Sequence, residues 1–245
     1  MTYETTERAG EKMTTLAIEG TFNVRASEAG ADGTVWLFRS ATLDGLSARG
    51  ERDLLELGVG IVIDFRDDVE RTHTSAHHLP VEHVPIYGSI DGPPRVGSLH
   101  SVYRLILSTR GDRVTQAVIA IARSEHPVLV HCTAGKDRTG LVVALALLAA
   151  GRSRAEAVTD YSQSGAQVSP HRRSIVESQL ALLGLTDAEY ADARELHLDS
   201  PASALEHALD YLDEDFGGVQ SYLTQHGATD SDFALLQHRL GGGLQ

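Results

Sequence analysis

Residues 127–150, PVLVHCTAGKDRTGLVVALALLAA, constrain the fold more than any other stretch of the chain. PVLVH (127–131) is a short apolar run, the pattern of a central strand buried on both faces. LVVALALLAA (141–150) is apolar on nearly every side when wound as a helix, so other elements must enclose it. A buried strand that passes through a glycine-containing loop into a buried helix requires a layered α/β structure. The second run is ten residues long, too short to cross a bilayer.

The loop between them holds the only cysteine of the chain, Cys132, followed by Thr133, Ala134, Gly135, Lys136, Asp137, Arg138, Thr139 and Gly140. A strand ending at Cys132 and a helix starting near Thr139 would curl the N–H groups of 133–138 around a point just beyond the sulfur. The helix N-terminus adds orphan donors and a positive dipole end. Concave arrays of this kind bind phosphate-sized anions. Arg138 closes the loop with a planar fork able to hold two phosphoryl oxygens at once.

The same donors favour a thiolate, so Cys132 reads as a nucleophile for phosphoryl transfer. Thr139 can donate its hydroxyl to the sulfur when that sulfur leaves. Asp137 is the nearest candidate acid for protonating a leaving alcohol. Lys136 adds charge and could reach a second anionic group of the substrate. Gly135 allows close backbone approach, and Gly140 tight packing of helix on strand. A cysteine that served only as a small buried hydrophobe would need none of these neighbours. A Walker-type nucleotide loop is excluded, because Lys136 is followed by Asp137 and the upstream glycine is missing.

Composition sets the surroundings. The 245 residues are 42% hydrophobic and 22% charged, enough chain for one substantial core. Lysine and arginine number 21 against 34 acidic residues, for a net charge of −13. That field repels nucleic acid and anionic membranes, so no nucleic-acid partner and no stable membrane association are expected. An anion site must then be a local positive pocket. The single cysteine excludes an internal disulfide framework and fits a reducing compartment. MTYETTERAGEKMTTLAIEG (1–20) lacks the apolar core of a signal peptide. A cytoplasmic location is expected, with secretion by a signal-less route left open. Residues 1–15 read as a disordered leader and 16–245 as a single domain.

Elsewhere, VWLFRSA (35–41), IVIDF (61–65) and VEHVPIY (81–87) read as strands, and SARGERDLLELGVG (47–60) as a short helix. RDDVERTHTSAHHLP (66–80) reads as loop plus a short helix, and GSIDGPPRVGS (88–98) as a mobile loop. Residues 99–125 form two helical segments broken near Gly111, and 153–240 are helical with turns near Pro170, Gly184, Pro201, Gly217-Gly218 and Gly227. The expectation is an α/β fold: a central, mostly parallel sheet flanked by helices, with a helical C-terminal part.

HCTAGKDRTG resembles the His-Cys-x5-Arg-Thr/Ser-Gly signature of the cysteine-dependent protein tyrosine phosphatases. Its Gly-Lys-Asp-Arg-Thr-Gly version is similar to that of a bacterial subfamily of tyrosine and lipid phosphatases. LFRSATLDGLSARGERDLLELGVGIVIDFRDDVE (37–70), DYSQS (160–164) and FGGVQSYL (216–223) echo further segments of that subfamily. The resemblance implies the cysteine-phosphatase fold, a cysteinyl-phosphate intermediate on Cys132 and no metal or other cofactor. It implies Arg138 as phosphate clamp and 133–137 as amide cradle. Lys136 occurs in relatives that accept phosphoinositides, which adds lipid head groups and multiply phosphorylated small molecules to the substrate classes. The partner is accordingly a phosphorylated protein or a small phosphorylated substrate.

The chain departs from the family pattern at several places. Many relatives carry their general acid in a separate Trp-Pro-Asp loop, but VPIYGS (84–89) carries none, and the nearest acid is Asp91. Asp137 is therefore the first candidate acid and Asp91 the second. The subfamily's Asn-x-Arg-Asp segment appears as Asn23-Val24-Arg25-Ala26, without its Asp. The span from Tyr87 to His131 leaves little room for a large helical lid.

Asp64 and Arg66 read as a structural ion pair, and Arg39 as pairing with Asp64 or Asp67 or reaching the pocket rim. His73, His77, His78 and His83 sit in a polar segment without a recognisable ligand spacing, so a metal there is not expected. The functional expectation is a metal-independent phosphomonoester hydrolase, first a protein tyrosine phosphatase, with Ser/Thr phosphates and phosphoinositides as further candidate substrates. The alternatives are a metabolite phosphatase, a catalytically silent phosphate-binding module, and thiol chemistry such as sulfur transfer or arsenate reduction; the last normally needs a second, resolving cysteine.

Overall fold

A computed structural model describes residues 3–5, 14–29, 33–71, 77–88 and 92–241. In chain order the elements are β1 (Tyr3–Thr5), β2 (Thr14–Leu16), β3 (Arg25–Ala29), β4 (Val35–Ser40), α1 (Ala48–Glu56), β5 (Ile61–Asp64), a single 3-10 turn (Asp68–Glu70), β6 (Val81–His83), α2 (Leu99–Thr109), α3 (Gly111–Arg123), β7 (Val128–His131) and α4 (Asp137–Ala150). They continue with α5 (Arg154–Ser162), α6 (Ser164–Leu180), α7 (Asp187–Leu198), α8 (Ala202–Phe216), α9 (Val219–Gln225) and α10 (Asp230–Arg239).

The strands form one mixed sheet in the order β1-β2-β3-β4-β7-β5-β6. β1 to β4 pair antiparallel, whereas β4, β7, β5 and β6 run parallel. β7 lies between β4 and β5, with Ser40, His131 and Asp64 in register at the three C-terminal ends. Loops that follow parallel strands meet at that edge, where α/β sheets place their ligands. Of the leader expected over 1–15, residues 1, 2 and 6–13 lie outside the described residues.

Alternation along the strands divides the core. Leu37, Ile63, Val128 and Val130 face the large cluster built with α2, α3, α4 and α8. Phe38, Val62 and Leu129 face a smaller one that Leu54 of α1 closes with Ile18, Val24 and Leu43. α4 packs against α3, α5 and α10 and is buried around nearly its whole circumference, as its composition requires. The helix expected over 47–60 is the shorter α1, capped by Ser47, whose side chain accepts from the Gly50 N–H.

Two local expectations are corrected. VEHVPIY pairs only over Val81–His83, because Val84 and Ile86 instead donate to the carbonyls of Asp64 and Phe65 from irregular backbone. Pro170 does not turn the chain but lies inside α6, where its fixed φ suits the helix and it forgoes one hydrogen bond. α6 and α7 form a hairpin with a small core of its own, including Val176, Leu180, Ala193 and Leu198. No helix among the described residues is long and apolar enough to cross a membrane.

Candidate active site

The loop from Cys132 to Lys136 joins β7 to α4, and its Cys132, Thr133 and Ala134 line a cavity of about 660 Å³. Every carbonyl of this loop is held on the side away from the cavity. His131 Nδ1 donates to Cys132 O at 3.1 Å, and the Thr42 N–H to Thr133 O at 3.2 Å. Asn23 Nδ2 donates to Ala134 O at 3.0 Å and to Gly135 O at 2.9 Å. Arg39 Nη2 donates to Gly135 O at 2.7 Å and to Lys136 O at 3.3 Å. No cis peptide occurs among the described residues. In a trans peptide the N–H opposes the preceding C=O, so the amides of 133–137 turn the other way. The result is a concave donor array at the start of a helix.

Gly135 is required here twice over. Its φ is +66°, and a Cβ would lie 2.1 Å from the Ser40 carbonyl oxygen. Gly140 serves a different contact from the expected packing on a strand. A Cβ there would lie 2.8 Å from Cδ2 of Tyr161, so this glycine admits an aromatic ring of α5.

The residues that hold the loop form a buried cluster. Asp160 accepts from Arg25 Nε at 3.0 Å and pairs with Arg39 Nη1, and all three side chains are at most 3% exposed. Arg25 Nη1 also donates to Asn23 Oδ1 at 2.5 Å, fixing the amide that grips the loop. Asn23 adopts φ +56°, uncommon for any residue but glycine yet tolerated by Asn. Arg39 therefore pairs with Asp160 rather than with Asp64 or Asp67. Asn23, Arg25 and Asp160 lie in segments whose resemblance to the subfamily was visible. Their shared task was not, since more than 130 residues separate Arg25 from Asp160. The missing Asp of the Asn-x-Arg-Asp pattern leaves this cluster intact, because its carboxylate comes from α5.

Arg138 is 5% exposed, and its fork meets Glu70: Nη1 to Oε2 at 2.5 Å and Nη2 to Oε1 at 2.7 Å. Thr133 Oγ1 donates to the same carboxylate at 2.5 Å. The Tyr87 ring lies 5.0 Å from the guanidinium carbon. Burial works against the Arg138 cation, but the Cys132 sulfur and Glu70 raise its pKa by more, so it stays charged. Glu70 closes the 37–70 stretch that resembles the subfamily, but its pairing with Arg138 has no local signal, and neither has Tyr87 in an apolar segment. Asp64 and Arg66 do pair, at 2.9 Å, and Asp44 completes that bridge.

Lys136 is 1% exposed, and its Nζ donates to Asp137 Oδ1 at 2.8 Å and to the Asp199 carbonyl at 2.6 Å. It is occupied within the fold rather than extended toward a second anion. Asp137 lines the cavity beside Cys132, Thr133, Ala134 and Arg138. Thr139 is fully buried, and its hydroxyl has no hydrogen-bond partner among the described residues, Cys132 included. Asp91 and His73 lie outside the described residues. His78 contacts Glu51 and His83 the Arg66 carbonyl, and among the described residues no group of three or more potential ligands is arranged for a metal ion. The cavity wall comes largely from the α6–α7 hairpin, through Arg172, Val176, Leu180 and Leu196, and it faces Tyr87, Pro93 and Arg95 of the 87–131 span.

A model of the tyrosine phosphatase family matches residues 16–242. The chain belongs to this family. The triple specificity protein phosphatase PtpB of Mycobacterium tuberculosis is 27% identical, spanning 80% of this chain and 87% of that protein. A tyrosine-protein phosphatase of Nostoc commune is 33% identical across 49% of this chain and 41% of its own length. A crystal structure of P. aeruginosa TpbA in complex with pTyr is 18% identical and covers 93% of this chain and 96% of that one. Its TM-score to this chain is 0.38. Membership of the tyrosine phosphatases accords with a phosphate-sized donor array built around a single cysteine.

Proposed function

We propose that this tyrosine phosphatase hydrolyses phosphomonoesters through a cysteinyl-phosphate on Cys132. The thiolate attacks phosphorus in line while the amides of 133–137 and the Arg138 guanidinium hold the phosphoryl oxygens. Glu70 takes the Nη1–Nη2 edge of Arg138, which leaves the Nε side of the fork for the substrate. As the ester oxygen leaves with the bonding electron pair, Asp137 gives it a proton. Water then attacks the phosphocysteine, Asp137 takes the proton, and the sulfur departs as thiolate. Thr139 holds an uncommitted hydroxyl, costly to bury unless something uses it, and the departing sulfur is the natural acceptor.

The observation that carries this reading is the outward capture of every carbonyl from Cys132 to Lys136. Phosphotyrosine on a protein is the proposed substrate, as in the family's name. PtpB is described as having triple specificity, and we read the cavity of about 660 Å³, with Arg95 and Arg172 in its lining, as admitting phosphoserine, phosphothreonine or phosphoinositide head groups as well. With Lys136 committed to Asp137 and Asp199, those two arginines take over the role of meeting further anionic groups. A reducing, cytoplasmic location suits a free catalytic thiol.

The test is turnover and binding by Cys132→Ser. Hydrolysis of a phosphotyrosine peptide should fall to background while the peptide still binds. Undiminished turnover would remove Cys132 from the chemistry.

A further inference from the structure

The apolar helices around the active site contain a polar chain that the reaction scheme above leaves unused. Tyr103 on α2 is 1% exposed, and its hydroxyl donates to Asp137 Oδ1 at 2.8 Å. Tyr161 on α5 is fully buried, with its hydroxyl 2.7 Å from that of Tyr103 and the rings edge to face. A carboxylate oxygen can only accept, so the Tyr103 proton points to Asp137 and Tyr161 must donate to Tyr103. Burial, together with Asp137 and Tyr161, holds the Tyr103 phenol well above its ordinary pKa, so it remains a donor throughout the working range. Lys136 Nζ supplies a second donor to the same Oδ1 at 2.8 Å.

We infer that Tyr103, backed by Tyr161, is a positioning residue that fixes which oxygen of Asp137 carries the catalytic proton. This inference rests on the assignment of Asp137 as general acid. With Oδ1 accepting from both Tyr103 and Lys136, a proton on that oxygen would collide with a donor. The proton therefore resides on Oδ2, which has no hydrogen-bond partner among the described residues and belongs to a side chain 21% exposed at the cavity. The arrangement serves both halves of the reaction, because Oδ1 can accept the two hydrogen bonds whether Oδ2 is protonated or not. Three helices contribute, so the carboxyl is held by rigid elements rather than by a closing loop. Gly140 now has its reason. It makes the room in which the Tyr161 ring reaches Tyr103. A pair of tyrosines kept only for packing would not need hydroxyls ordered into a chain that ends on a cavity-lining carboxyl.

The experiment compares wild type, Tyr103→Phe, Tyr161→Phe, Asp137→Asn and Tyr103→Phe/Asp137→Asn on aryl phosphates of graded leaving-group basicity and on an alkyl phosphate. In Tyr103→Phe, kcat/KM should fall about tenfold or more for the alkyl and poorest aryl esters, and less than about threefold for 4-nitrophenyl phosphate. Inhibition by inorganic phosphate should be unchanged. In the Asp137→Asn background the same substitution should add nothing. Tyr161→Phe should show the same selectivity more weakly, and it decides the matter if Tyr103→Phe does not fold.

Equal losses across leaving groups, or additive losses in the double variant, overturn the positioning role. If Asp137→Asn is selective and neither tyrosine variant is, only this inference falls. If Asp137→Asn itself lacks leaving-group selectivity, the acid assignment falls and the inference with it.

Discussion

Glu70 and Arg138 meet fork to fork, with both guanidinium Nη atoms on both carboxylate oxygens of a side chain that also accepts from Thr133. A planar guanidinium can turn its Nε edge to a phosphate reliably only if its other edge is fixed, and Glu70 fixes it.

Glu70→Gln removes the counter-charge of Arg138 and leaves one carbonyl oxygen where the carboxylate offered two. The expected result is a loss of about tenfold or more in kcat/KM on phosphotyrosine peptides and weaker inhibition by orthovanadate. Tighter vanadate binding would show instead that Glu70 competes with the phosphate for Arg138.

The loop depends on Asn23, which captures two carbonyls through one amide group. Asn23→Ala leaves the Ala134 carbonyl without that partner, at about 1–3 kcal/mol for a buried group left unsatisfied, while Gly135 O keeps Arg39. Activity should fall with stability, as read by thermal unfolding and kcat/KM on the same samples. Full activity would mean that Arg39 alone secures the loop.

Gly135→Ala tests the backbone itself. A Cβ at 2.1 Å from the Ser40 carbonyl has no flexible side chain to displace, and φ +66° disfavours every residue with one. The variant should lose nearly all turnover and phosphate binding. Circular dichroism should show the helices retained.

Stability should fall on acidification. Burial raises the Asp160 and Glu70 carboxyls, yet their guanidinium partners hold both below the ordinary range. Carboxyls depressed in this way stabilise the fold above their unfolded pKa, near 4, and that stabilisation is lost as pH falls through their folded values. His131 acts in the same direction: burial lowers its pKa despite Asp64, so below about 6.5 the unfolded chain takes up a proton that the fold refuses. Tm should be level near neutral pH, decline below about 6.5 and drop further below about 4. Asp160→Asn, which strands two buried guanidiniums, should cost about 3–5 kcal/mol at neutral pH and flatten the acid end of the curve. A Tm that rises between pH 6 and 4 would contradict this account.

The strand-loop-helix around Cys132 was legible because its instructions are local. An apolar run of strand length, two glycines and an all-apolar helix fix the geometry within 24 residues. What encloses that loop was not legible. Asn23, Arg39, Glu70, Tyr87, Tyr103 and Asp160 come from distant segments, and each reads alone as an ordinary strand, loop or helix residue. Gly140 looked like room for a strand and proved to be room for Tyr161, and Lys136 looked free for a ligand but is committed to Asp137 and Asp199.

The sequence by itself determined the strand-loop-helix around Cys132 and the layered α/β fold, because backbone conformation and apolar periodicity are written in neighbouring residues. Only the tertiary structure decided which side chains hold the loop's carbonyls, orient Arg138 and aim Asp137, because hydrogen bonds between segments far apart in the chain depend on where the packed core brings them.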